Sequence, residues 1–233
     1  MSDYQKAGYV QLTVADGTTM QAYASPPTSK AHGAGVLVLQ EAFGVNRHVR
    51  NVADRFAANG YHALAPELFH RTAPAGWEGN YNDFTSVMPH TRAMTIAGIE
   101  ADLGAAFHWL TDAAGCAPVH AVGYCMGGRC AYLANSMLPL GRAVSYYGGG
   151  ITGELLDRAK QMNAPILFFW GGKDKHIPPE QRRAVIDALA AAGKSYVNVE
   201  IADADHAFNC DERPSFHQGA SRQAWALTLE FLK

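Results

Sequence analysis

The sequence predicts an α/β protein with a mainly parallel, doubly wound sheet entered through an antiparallel hairpin. Three observations carry this. Short, almost continuously apolar runs alternate with longer segments whose apolar residues recur at three- and four-residue spacings, the signature of repeated βαβ units. Near the start, two alternating runs flank Asp16-Gly17, a hairpin turn signal. No internal repeat, low-complexity stretch or long linker interrupts the 233 residues, so one domain is expected over 1–233.

In chain order, residues 9–13 and 20–24 form the hairpin and Pro26-Pro27 ends it. Residues 35–40, 61–65, 119–123, 143–147, 165–170 and 196–201 read as strands. Several are apolar almost throughout, as parallel strands covered on both faces should be. The crossover helices fall at 47–59, 96–111, 126–137, 179–192 and 218–232. Asn59-Gly60 and Gly193 stand where a helix C-terminus wants a residue that tolerates positive φ, and Pro179 where a first helical turn accepts proline. Residues 69–89 break the rhythm: they are rich in Gly, Pro, Asn and aromatics, and are expected as an irregular excursion over the active face, a candidate lid.

Composition narrows the function classes. Nineteen Lys and Arg against 21 Asp and Glu give a net charge of -2 without charge runs, which removes the main sequence argument for nucleic acid or anionic membranes. No stretch approaches 18 uninterrupted apolar residues, and Met1-Ser2-Asp3-Tyr4-Gln5-Lys6 lacks a basic segment leading into an apolar one, so a cytoplasmic protein is expected. A monomer is the default expectation for oligomeric state. Four cysteines are too sparse for a disulfide framework and form no C-x-x-C pair; Cys116 and Cys130 read as packing residues.

The most informative stretch is Val119 to Arg129, which fits strand, then G-x-nucleophile-x-G, then helix. A nucleophile at the tip of such a turn sits in strained backbone, and side chains two residues either side would collide with it. Gly123 and Gly127 remove those side chains. Cys125 then lies at a helix N-terminus, where unpaired N–H groups and the helix dipole favour an anion and depress a thiol's pKa from its usual ~8.5. The Met126 N–H supplies half of an oxyanion hole.

An α/β-hydrolase presents nucleophile, acid and histidine in that chain order, each in a loop after a strand. Asp174 follows the strand at 165–170 through Gly171-Gly172-Lys173, and His206 follows the strand at 196–201 through Ala202-Asp203-Ala204-Asp205. In this scheme His206 handles the thiol proton and later activates water, while Asp174 fixes its tautomer. Asp203 and Asp205 are too close in sequence to reach the far ring nitrogen, although Asp205 could serve if Asp174 pointed away.

These residues resemble the dienelactone hydrolase, or carboxymethylenebutenolidase, family of α/β-hydrolases. The likeness runs from the first hairpin to the last helix: Gln40-Glu41-Ala42-Phe43-Gly44-Val45-Asn46, Ala65-Pro66-Glu67-Leu68, Gly123-Tyr124-Cys125-Met126-Gly127-Gly128, Tyr146-Tyr147-Gly148, Gly171-Gly172-Lys173-Asp174 and His206-Ala207-Phe208. The resemblance implies that Glu41 contacts the cysteine and accepts its proton when substrate arrives, and that the Ala42 N–H completes the oxyanion hole. It implies hydrolysis of a small lactone or activated ester; no cofactor and no metal are expected. Where the family's lactone hydrolases carry an arginine four residues after the histidine, this chain has Cys210; Arg213, Arg71 and Arg92 are the substitutes considered.

Phe43, Tyr124 and Tyr147 are candidate pocket residues, with Tyr146, Trp77 and Tyr81 as further aromatics. The alternative function class is a non-catalytic ligand-binding or thiol redox-sensing module; aligned Asp174 and His206 argue against it, because a sensor needs neither. A metal site from His62, Glu67 and His70 is disfavoured, since Pro66 and a strand end separate the ligands. His32, His48, His90, His108, His120, His176 and His217 do not cluster and receive no role.

Overall fold

The computed structural model describes residues 6–233; residues 1–5, on which part of the reading of the N-terminal segment rests, lie outside the described residues. The chain divides into two compact units, with the boundary between His120 and Ala121. The fold is α/β, with mostly parallel strands and an antiparallel N-terminal hairpin.

In the first unit, β1 (Gly8–Thr13) and β2 (Thr19–Ser25) pair antiparallel from Gly8↔Ala24 to Thr13↔Thr19. The turn forms because Gly17 takes a positive φ of 84° and the Asp16 carboxylate accepts the Thr18 N–H at 3.0 Å. β2 continues antiparallel against β4 (His62–Pro66), and β4 runs parallel to β3 (Gly35–Leu39). Helix α1 (Arg47–Ala58) buries Val49, Val52, Ala53, Phe56 and Ala57, a helical stripe laid on β2, β3 and β4. Asn46 caps it by accepting the Val49 N–H, and Gly60 (φ 90°) turns the chain out, as Asn59-Gly60 predicted.

The expected irregular excursion at 69–89 needs correction, because its second half enters α2 (Phe84–Ala93) with Pro89 inside it. The Asp83 carboxylate starts this helix by accepting the N–H groups of Thr85 and Ser86. Of its residues only Val87 is buried, so no apolar periodicity announces it. α3 (Ile96–His108) is capped by the Thr95 hydroxyl and passes into a π turn at Trp109–Ala113.

In the second unit, β5 (Val119–Tyr124), β6 (Ala143–Tyr146), β7 (Ile166–Gly171) and β8 (Tyr196–Ile201) lie side by side in chain order, all parallel. β5 to β7 are buried throughout, whereas β8 is half exposed as an edge strand. α4 (Met126–Met137) packs on β6, and α6 (Gln218–Phe231) on β7; α5 (Pro179–Ala191) begins on a proline and ends before Gly193 (φ 64°). A short 3₁₀ segment at Leu156–Gln161 has no counterpart in the sequence reading. Because the four strands are parallel neighbours, the loops after β5, β7 and β8 open on one edge. Among the described residues, no helix is long and apolar enough to cross a membrane.

Candidate active site

Cys125 sits between the last residue of β5 and the first of α4, with φ 54° and ψ -116°. A non-glycine residue in this region carries about 1–3 kcal/mol of strain, tolerated only where neighbours hold it. Here the Cys125 N–H donates to the Tyr146 carbonyl at 3.0 Å, and the Cys125 carbonyl accepts the Gly128 N–H at 2.9 Å, the first bond of α4. A Cβ on Gly123 would fall on the Gly127 carbonyl, which explains the first elbow glycine. One on Gly128 would lie 2.8 Å from the Gly148 Cα, so α4 leans directly on the chain leaving β6. The thiol therefore emerges at the positive end of a helix dipole.

Asp174 and His206 are brought together by two loops that interlock. The Gly172 N–H donates to the Ile201 carbonyl at 2.8 Å and the Lys173 N–H to the Ala204 carbonyl at 2.9 Å. A Cβ on Gly171 would stand 2.7 Å from the Ala204 oxygen, and one on Gly172 would stand 2.5 Å from the Ala202 oxygen. Only glycines permit this approach. Asp174 Oδ1 accepts the His176 backbone N–H at 2.8 Å, leaving Oδ2 for His206 Nδ1 at 2.7 Å. The other ring nitrogen, Nε2, is 3.1 Å from Cys125 Sγ. Carboxylate, imidazole and thiol form one hydrogen-bonded chain.

Burial works against a charged His206, but the negative charge of Cys125 and the hydrogen bond donated to Asp174 outweigh it, and its pKa rises from 6.5 to about 10. Burial would likewise raise the Asp174 carboxyl; the hydrogen bond it accepts from His206 and the charge of that ring win, and the value falls below the usual carboxylate range. The arrangement favours an ionised acid and an imidazole that holds its proton at neutral pH.

The two nearer aspartates are occupied elsewhere. Asp205 accepts the His206 backbone N–H at 2.7 Å, and Asp203 faces the His217 ring at 3.1 Å. Tyr147 (φ 39°) lays its ring 5.1 Å from that of His206 and 5.3 Å from Phe208. Tyr124 is buried with its ring 4.7 Å from Tyr146, and Met126 heads α4. His176 was missed from sequence: besides its N–H on Asp174, its ring stands 5.2 Å from His206, and only its place two residues after the acid hints at this.

In the first unit, Glu41 follows β3 and is wholly buried, with neither carboxylate oxygen hydrogen-bonded. Ala42 and Phe43 pack with Val87, Trp77 and Tyr81. Residues 76–81 are tied down by the Gly79 N–H on the Phe43 carbonyl, Asn46 on the Tyr81 hydroxyl at 2.7 Å and the Arg50–Glu78 ion pair at 2.6 Å. Arg71 is shared between Asp16 and Asp102 at 2.7 and 2.8 Å, and Arg92 is exposed. Glu67 accepts the Gly76 N–H and His70 faces Asp102, so these two disfavoured metal ligands have other partners. In the second unit, Cys210 is fully buried.

Comparison with known proteins places the chain in a family. Residues 20–233 match the model of the dienelactone hydrolase family. A "Putative carboxymethylenebutenolidase" of Escherichia coli (strain K12) is 36% identical over 245 residues, covering 97% of this chain and 86% of that protein. A protein of the same name from Salmonella typhimurium is 35% identical, covering 90% of this chain and 80% of that one. Among solved structures, a "Putative Dienelactone Hydrolase" from Klebsiella pneumoniae superposes with a TM-score of 0.86 at 31% identity, covering 98% of this chain and 99% of that one.

Proposed function

The chain belongs to the dienelactone hydrolase family, and from that premise we propose that it is a cysteine-dependent hydrolase of small lactones or activated esters. The observation that carries the reading is the unbroken hydrogen-bonded chain Asp174–His206–Cys125. The reacting form pairs a protonated His206, its pKa raised to about 10, with the Cys125 sulfur as thiolate. The sulfur attacks the ester carbonyl; the Met126 N–H, with the Ala42 N–H that the family resemblance adds, stabilises the oxyanion. As the tetrahedral intermediate collapses to a thioester, His206 gives its proton to the departing alkoxide. The neutral imidazole, held in its tautomer by Asp174, then takes a proton from water as that water cleaves the thioester.

Glu41 is proposed as the alternative acceptor of the thiol proton, a role carried by the family motif. Its buried carboxylate, with no hydrogen bond on either oxygen, has that capacity unused. Elbow glycines Gly123 and Gly127 shape the turn, and the Tyr147 ring walls the space beside His206. Cys210 is buried where the family's arginine stands, and Arg71 is already divided between two aspartates, so the substrate's acyl group is proposed to be uncharged. The same reading takes the chain as one hydrolase domain acting in the cytoplasm, with no cofactor.

The test is steady-state hydrolysis of a carboxylate-bearing dienelactone, an uncharged γ-lactone and p-nitrophenyl acetate by wild type and Cys125→Ala. Turnover of the uncharged substrates that vanishes in Cys125→Ala is the expected result. A preference for the dienelactone would overturn the uncharged acyl group and direct attention to Arg213. Equal activity in Cys125→Ala would overturn the nucleophile itself.

A further inference from the structure

The first turn of α6 makes a set of bonds to the segment carrying His206 that the catalytic scheme does not use. His217 caps this helix: its Nδ1 accepts the Ala220 N–H at 3.1 Å. A ring nitrogen that accepts carries no proton, so Nε2 bears the hydrogen and donates it to Asp203 Oδ2 at 3.1 Å. The His217 backbone N–H also donates to the Phe208 carbonyl at 3.0 Å. Four residues on, and so on the same helix face, the buried Ser221 hydroxyl donates to Asn209 Oδ1 at 2.8 Å. The Asn209 Nδ2 is buried without a partner, which leaves Ser221 as that amide's one side-chain anchor among the described residues.

Asp203 precedes His206 by three residues and Asn209 follows it by three. The catalytic imidazole therefore hangs midway between two points fastened to one face of one helix. That helix is fastened in turn, since Thr228 Oγ1 lies 2.6 Å from the Tyr146 hydroxyl and the Tyr146 carbonyl accepts the Cys125 N–H.

We propose that His217 and Ser221 are positioning residues, through which α6 holds the His206 ring in register with Cys125. The inference rests on the catalytic reading of Cys125 and His206 and deepens it. Misplacement of a catalytic group by about 1 Å costs on the order of 100-fold in rate, so a partial release should be visible in kcat.

The experiment compares wild type with Ser221→Ala, Ser221→Thr and His217→Asn, using p-nitrophenyl acetate as substrate. It also follows the ultraviolet absorbance of the Cys125 thiolate against pH, with Cys125→Ala as the blank. His217→Asn retains a good helix cap but shortens the reach to Asp203, and the pair it breaks is exposed, so this variant should fold. Expected are a fall in kcat of about fivefold or more with KM little changed, and a thiolate titration displaced from that of wild type, with Ser221→Thr near wild type. Folded variants with unmoved kcat and unmoved thiolate titration would overturn the inference alone. Should Ser221→Ala fail to fold, His217→Asn decides the question by the same two readouts. A wild type lacking any Cys125-dependent thiolate signal would overturn the catalytic reading and this inference with it.

Discussion

Cys125 and His206 stand 3.1 Å apart, and substitution separates what each contributes. Replacing Cys125 by Ala removes the charge that holds the imidazole proton, so the His206 titration, followed by NMR, should drop clearly below its wild-type value of about 10. An unchanged titration would mean that Asp174 alone sets it. Stability follows the same proton. The folded value of about 10 lies above the ordinary 6.5, so protonation favours the folded chain; this contribution is complete below pH 6.5, shrinks as pH rises and is gone above about 10. Urea unfolding of wild type and His206→Gln should therefore differ most at the acid end of that window and converge at its alkaline end. That Cys125, Asp174 and His206 would meet was legible in the residues, because each follows a strand of one parallel set. The hydrogen bond from His176 to Asp174 was not, since a backbone N–H leaves no mark on residue type.

At the scale of elements, the glycines after β7 carry a burden that their turn alone would not impose. A methyl group on Gly172 would stand 2.5 Å from the Ala202 carbonyl oxygen, so Gly172→Ala must push the acid loop away from the histidine loop. We expect this variant to lose about 1–3 kcal/mol of stability and to lose kcat more than KM, measured by urea unfolding and steady-state kinetics. Wild-type values for both would show that the loops move freely. Helices with an apolar stripe, such as α1, were readable to within a residue or two at each end. α2 was not, because Asp83 starts it by capping, Pro89 argues against it, and Val87 is its only buried side chain. Its stability comes from its ends and its surroundings, which a periodicity search does not see.

For the whole molecule, the kinds of strand were legible but their pairing was less so. Alternation at 9–13 and 20–24 announced the hairpin, yet nothing in the apolar runs told that β2 would extend antiparallel along β4 and not along β3, its neighbour in sequence. Pairing is decided by which crossovers close well, a property of the chain as a whole. The left-handed backbone at Cys125 also bears on the whole chain. Glycine adopts that conformation without cost, so Cys125→Gly should melt higher than Cys125→Ala; equal melting temperatures would show that the turn relaxes around any residue. On the proposed reading the protein faces a trade-off: at this codon, random drift toward a sturdier fold is drift toward lost turnover, and selection on turnover keeps the thiol in place.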